Sequence, residues 1–222
     1  MKAVIFDMDG VIIDSHSAAY ELLHDAASSF GCQLTIEEIK SWGSLSSRQF
    51  WHIVKDRFNL SVPMDELLSS YKVDKEIEMY KQIGMITGAL DLLQMLKRNK
   101  IKIALATSAS KKRMDAVLDM FRIRAYFDAC ICDDDVKHSK PDPEIFLAAA
   151  NQLAVEPRCC IVIEDSNNGL NAAKSAAMRC IGFKGLSHVR ENMEGADWII
   201  HAYDEINMMR LTELWDGLST EE

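Results

Sequence analysis

Short apolar runs recur along the chain at residues 3–6, 101–106, 129–132, 160–163, 180–183 and 198–200, most of them rich in valine and isoleucine. Runs this short, apolar at successive positions rather than at alternate ones, predict strands buried on both faces of a sheet. Between most of them the apolar positions recur at helical spacing, over residues 88–99, 110–121, 142–153 and 166–178. Strand and helix in alternation predict βαβ units, and so an α/β fold on a doubly wound, mostly parallel sheet.

One stretch breaks the rhythm. Between Ser15 and Gly84 no strand pattern occurs, and helical patterns take its place. Thr35-Ile36-Glu37-Glu38 reads as a capping box, with Thr35 as N-cap and Glu38 three residues on. Pro63-Met64-Asp65-Glu66 reads as a helix start, with proline at the first helical position and acids in the first turn. The expected organisation is an α-helical cap domain, residues 15–87, inserted into an α/β catalytic core formed by residues 1–14 and 88–222. The last residues, 220–222, are expected to fray.

Composition narrows the function classes. A net charge of −9 repels nucleic-acid phosphates and obliges any anion site to build its own positive field. No apolar run approaches the roughly 20 residues that span a bilayer, and the N-terminus enters a strand-like run without the regions of a signal peptide. The six cysteines form no C-x-x-C pair and several sit in apolar runs, as small buried hydrophobes of a reducing compartment do. The expectation is a cytoplasmic monomer with neither nucleic-acid nor membrane partners.

In an open parallel sheet, ligands gather at the carboxyl ends of the strands. The first strand ends in Asp7-Met8-Asp9-Gly10, the second in Thr107-Ser108, and the fourth in Glu164-Asp165-Ser166; the loop after the third reaches Lys140-Pro141-Asp142-Pro143. Oxygen ligands from Asp7, Asp9 and Asp165 suit Mg²⁺. A carboxylate attacking a phosphate meets like-charge repulsion, which Mg²⁺ and the Lys140 ammonium would offset. The Thr107 hydroxyl and the backbone N–H groups opening the helix at Ser110 can hold phosphate oxygens. Gly10 permits a tight exit from the strand. In this arrangement Asp7 attacks phosphorus in line. Asp9 protonates the leaving alcohol and then deprotonates the water that cleaves the aspartyl-phosphate.

These four segments match, in order, the four motifs of the haloacid dehalogenase superfamily, and the resemblance extends over nearly the whole chain. It is nearest to the branch containing β-phosphoglucomutase and the phosphoglycolate-type phosphatases. The resemblance implies a nucleophile at Asp7, an acid/base at Asp9, and phosphate binding by Thr107, Ser108 and Lys140. It implies a Mg²⁺ site from Asp7, the backbone carbonyl of Asp9, and Asp165, with Glu164 beside it. The substrate implied is a small phosphorylated metabolite such as a sugar phosphate. Trp42-Gly43-Ser44-Leu45-Ser46-Ser47-Arg48 resembles the cap segment that reaches the substrate, with Gly43 and Arg48 the candidate contacts. In β-phosphoglucomutase a cap-hinge histidine assists the second aspartate; that position is Ala19 here, with His16 one turn earlier. The departure favours hydrolysis over the alternative, a phosphomutase. A receiver domain is disfavoured because its acceptor aspartate follows a middle strand. A Schiff-base lysine has no evident candidate among Lys55, Lys72 and Lys81.

Overall fold

The computed structural model describes residues 1–43, 45, 47–187 and 191–217; Ser44 and Ser46 of the cap segment, and the expected frayed end at 220–222, lie outside the described residues. The chain divides into two compact units, Met1–Asp14 with Gly84–Glu222, and Ser15–Ile83.

The first unit carries the strands β1 (Ala3–Phe6), β2 (Lys102–Ala106), β3 (Ala129–Ile131), β4 (Cys160–Glu164), β5 (Arg179–Phe183) and β6 (Trp198–Ile200). They form one sheet in the order β3-β2-β1-β4-β5-β6, and every pairing is parallel. The α/β doubly wound expectation is borne out. All four residues of β1 are fully buried, which a central strand covered on both faces requires. One core lies between the sheet and the helices that return the chain from β3 to β4 and from β4 to β5, and includes Ile5, Ala104, Phe146, Val162 and Leu170.

The second unit contains α1 (His16–Ser29), α2 (Ile36–Ser41), α3 (Ser47–Phe58), α4 (Met64–Ser70) and α5 (Val73–Ile83). The Thr35 capping box forms: Thr35 Oγ1 accepts the Glu38 N–H at 3.1 Å, and Glu38 Oε2 accepts the Thr35 N–H at 2.9 Å. Pro63 is the N-cap of α4 with an extended ψ of 145°, not its first helical residue, because the chain turns one residue later than expected. This unit has its own core, with Phe50, Trp51, Val54 and Leu67 fully buried and Trp42 packed against them. Trp42 and Trp51 are therefore accounted for by packing; Trp51 meets the Phe30 ring edge-on at 5.6 Å.

The remaining helices are α6 (Ala89–Arg98), α7 (Lys111–Met120), α8 (Glu144–Leu153), α9 (Asn167–Ser175) and α10 (Met208–Asp216), all in the first unit. Ser110 and Ser166 serve as N-caps of α7 and α9, where the polar residues after each strand foretold them. All six cysteines are free, four of them buried. No helix among the described residues is long and apolar enough to cross a membrane.

Candidate active site

The strand order changes direction at β1. Its neighbours are β2 on one side and β4 on the other, so the carboxyl ends of these three strands lie side by side. Asp7 continues the β1–β4 ladder by donating its N–H to the Ile163 carbonyl at 3.0 Å. Thr107 continues the β2–β3 ladder by donating to the Ile131 carbonyl at 3.0 Å. Backbone pairing thus fixes both side chains one residue beyond their strands. After Asp7 the chain turns sharply: Gly10 sits at φ +76°, its N–H bonds the Ile13 carbonyl, and the Ile12 N–H returns to the Met8 carbonyl. A left-handed residue at this turn explains the glycine.

Lys140 is the hub. Its side chain is 5% exposed, and its ammonium donates to Asp7 Oδ1 at 2.6 Å, Glu164 Oε1 at 2.7 Å and the Ala106 carbonyl at 3.1 Å. Three donors meet three acceptors, so the ammonium is held from three directions. Burial alone would lower the Lys140 pKa, but the charges of Asp7 and Glu164 outweigh it and the ammonium is held protonated. Asp134 and Asp135, in the loop after β3, bond backbone N–H groups. Asp134 Oδ2 accepts the Lys111 N–H at 2.7 Å, and Asp135 Oδ2 accepts the Cys132 N–H at 2.9 Å.

Glu164 is spoken for at both oxygens. Oε1 accepts from the Lys140 ammonium; Oε2 accepts the N–H groups of Asp165 and Ser166, each at 3.0 Å, and the Ser166 hydroxyl at 2.9 Å. The carboxylate lies against the first turn of α9 where Gly169 has no side chain. A Cβ there would stand 1.8 Å from Oε1 and 1.9 Å from Cδ. Gly169 was not among the expected site residues. Its signal was present, since a glycine inside a helical pattern costs about 1 kcal/mol against alanine and asks for a reason.

Asp7, Glu164 and Asp165 are buried, and a ligand oxygen from each lies within 4.8 Å of the others. Burial pushes the Asp7 pKa well above the usual carboxylate range; Lys140 opposes this, while Glu164, Asp9 and Asp165 add to it. Three hard oxygen donors crowded around one lysine have a charge surplus that a divalent cation would balance, so the residues present fit Mg²⁺. Asp9 is not in that trio. Its Oδ1 accepts Arg113 Nη2 of α7 at 2.9 Å. Arg113 was not anticipated, and nothing local in the sequence marks a contact between residues 104 apart.

Thr107 is fully buried, and its Oγ1 accepts the Ala109 N–H at 3.0 Å. Ser108 beside it is exposed. The Lys111 N–H at the start of α7, one of the backbone donors expected to face phosphate, is occupied by Asp134. The structure therefore gathers Asp7, Asp9, Thr107, Ser108, Lys140, Glu164 and Asp165 in one unit. Gly43, at φ +77°, and the exposed Arg48 belong to the other.

The model of the haloacid dehalogenase-like hydrolases matches residues 4–183, which is most of the chain. The chain belongs to this family. As a member it is a hydrolase, and the proteins it is similar to include named phosphatases and a β-phosphoglucomutase. It is similar to the phosphorylated carbohydrates phosphatase of Thermotoga maritima, with 32% identity over 181 residues, 82% of this chain and 84% of that protein. It is also similar in fold to the β-phosphoglucomutase of Clostridium difficile, at 26% identity and a TM-score of 0.79, covering 98% of each chain. The crystal structure of a mutant CbbY from Rhodobacter sphaeroides in complex with xylulose-(1,5)bisphosphate gives 25% identity and a TM-score of 0.77, covering 93% of this chain and 96% of that one.

Proposed function

We propose that this hydrolase cleaves a phosphomonoester of a small phosphorylated sugar through an aspartyl-phosphate on Asp7, with Mg²⁺ as cofactor. The observation that carries the reading is the buried arrangement of Lys140 between Asp7 and Glu164, with Asp165 alongside. It is a positive centre set among carboxylates at strand ends, where an anion must be both neutralised and attacked. The named activity of the Thermotoga maritima phosphatase and the sugar bisphosphate held by CbbY support a phosphorylated carbohydrate as substrate.

Asp7, Asp165 and the backbone carbonyl of Asp9 would hold the metal, with Glu164 supporting Lys140 beside them. Bound there, Mg²⁺ would offset the repulsion between an attacking carboxylate and the phosphoryl oxygens. The Thr107 hydroxyl and the Ser108 region orient the phosphoryl group, and Lys140 neutralises it. Asp7 Oδ attacks phosphorus as the bond to the leaving oxygen breaks, and Asp9 gives that oxygen a proton. Asp9 then takes a proton from the water that attacks the aspartyl-phosphate, which frees phosphate and restores both acids. In this reading the unit Ser15–Ile83 is the cap, and Gly43 and Arg48 select the leaving group.

The test is phosphate release from a panel of phosphorylated sugars with Mg²⁺, beside Asp7→Asn. Release that requires Mg²⁺ and falls by at least about a thousandfold in the variant supports the hydrolase. Isomerised sugar phosphate without release, seen once a bisphosphate primer is added, would replace it with a phosphomutase.

A further inference from the structure

We propose that Arg113 is a positioning residue for Asp9: it holds the carboxylate in the place from which it exchanges a proton with the leaving oxygen. The proposal rests on the reading of Asp9 as the acid/base of the reaction.

Asp7, Glu164 and Asp165 converge on one another, whereas the Asp9 carboxylate is engaged from the neighbouring strand's helix by Arg113 Nη2 at 2.9 Å. The two side chains are only 20% and 23% exposed, so the pair is shielded from much of the screening that makes surface ion pairs weak. Both ends of the contact have rigid bases. On the Asp9 side, the turn through Gly10 is closed by the Gly10 N–H to Ile13 and the Ile12 N–H to Met8, which leaves only the two side-chain torsions to be set. On the other side, Arg113 stands in the first turn of α7. That turn is fixed by the bond from the Lys111 N–H to Asp134, by the Met114 N–H to the Ser110 carbonyl, and by Met114 packed 2% exposed into the core.

The parallel register pairs Phe6 with Leu105, which brings the loops after β1 and β2 side by side. That is what lets residues 104 apart in sequence meet. A planar guanidinium imposes direction on the carboxylate it binds in a way a lysine ammonium does not. In the first half-reaction the bond from phosphorus to the leaving oxygen breaks, the bond to Asp7 forms, and the Asp9 proton passes to the leaving oxygen. In the second half-reaction the water oxygen bonds phosphorus, the Asp7 bond breaks, and a water proton returns to Asp9.

A positioned proton donor matters only where the leaving oxygen needs a proton. The experiment compares kcat/KM for two probes: the sugar phosphate best turned over in the panel, and p-nitrophenyl phosphate, whose phenolate leaves unprotonated. Wild type, Asp9→Asn, Arg113→Met and Arg113→Lys are measured, and the ratio of the two kcat/KM values within each protein cancels any difference in folded fraction. The expected result is a fall in the sugar-to-aryl ratio of about tenfold or more in Arg113→Met, a larger fall in Asp9→Asn, and partial recovery in Arg113→Lys. If Arg113→Met is too weak to measure, Arg113→Lys alone is expected to lower the ratio by a smaller factor. A ratio unchanged in the Arg113 variants but lowered in Asp9→Asn overturns the role of Arg113 and leaves the reaction intact. A ratio unchanged in Asp9→Asn overturns the assignment of Asp9, and this proposal with it.

Discussion

Lys140 and Glu164 depend on each other, and both depend on a residue that carries no chemistry. Glu164 can face Lys140 and the first turn of α9 together only because position 169 is glycine. Gly169→Ala places a methyl group where the carboxylate lies, and the listening end of Lys140 then loses one of its two acids. The expected outcome is a fall in kcat of about a hundredfold with an unchanged far-ultraviolet circular dichroism spectrum, since displacement of a catalytic group by about 1 Å costs on that order. A kcat within a factor of two of wild type would show that Glu164 does not align the site. At this scale the sequence was most informative where residues fall one step beyond a strand. Asp7 and Thr107 could be placed from the apolar runs alone, because the end of each run marks the end of its ladder, whereas β4 continues one residue past its run, to Glu164. Arg113 could not, since its meaning depends on which strands become neighbours.

Elements are also joined by a half-buried carboxylate next to β6. Asp197, just before β6, accepts from Lys174 of α9 at 2.5 Å, from Arg179 of β5 at 2.9 Å, and from the Cys180 N–H at 2.7 Å. Burial pushes its pKa up, but the Lys174 bond, the Cys180 N–H and the Arg179 bond together outweigh that and hold it below the usual value. A carboxylate depressed in the folded state stabilises the fold above its unfolded pKa, about 3.9, and that stabilisation is lost as pH falls through the folded value. Asp197→Asn is expected to cost about 2 kcal/mol at pH 7 by denaturant titration, with the gap to wild type closing as pH falls through the folded value. A gap that persists unchanged at low pH would mean the loss is one of shape rather than charge. The strands and helices of this unit were legible because each buried run is bounded by polar residues with capping chemistry. The start of α4 was misplaced by one residue because proline is compatible with both the N-cap and the first helical position, and local sequence does not choose between them.

The whole molecule divides into a unit with the chemistry and a unit with its own core, and the two were legible to different degrees. Four motifs in order run along the first unit and carry the proposed chemistry, whereas in the second the packing of Phe50, Trp51 and Leu67 accounts for the apolar residues. Cation binding is expected to register on the entire fold. The crowded acids Asp7, Glu164 and Asp165 are relieved by Mg²⁺, so Mg²⁺ at about a hundred times its Kd should stabilise the protein by about 2.7 kcal/mol. Thermal melting with Mg²⁺ and with chelator checks this: Tm rises in wild type and stays put in Asp165→Asn. An equal rise in both would place the cation elsewhere. The central claim is the covalent one, that the phosphoryl group passes through Asp7. Rapid acid quench during turnover, followed by borohydride reduction and peptide mass spectrometry, tests it most directly. Residue 7 is expected as homoserine, the reduction product of an aspartyl-phosphate, and only when substrate and Mg²⁺ are present. Phosphate release with residue 7 recovered solely as aspartate, or with homoserine at another position, would contradict it.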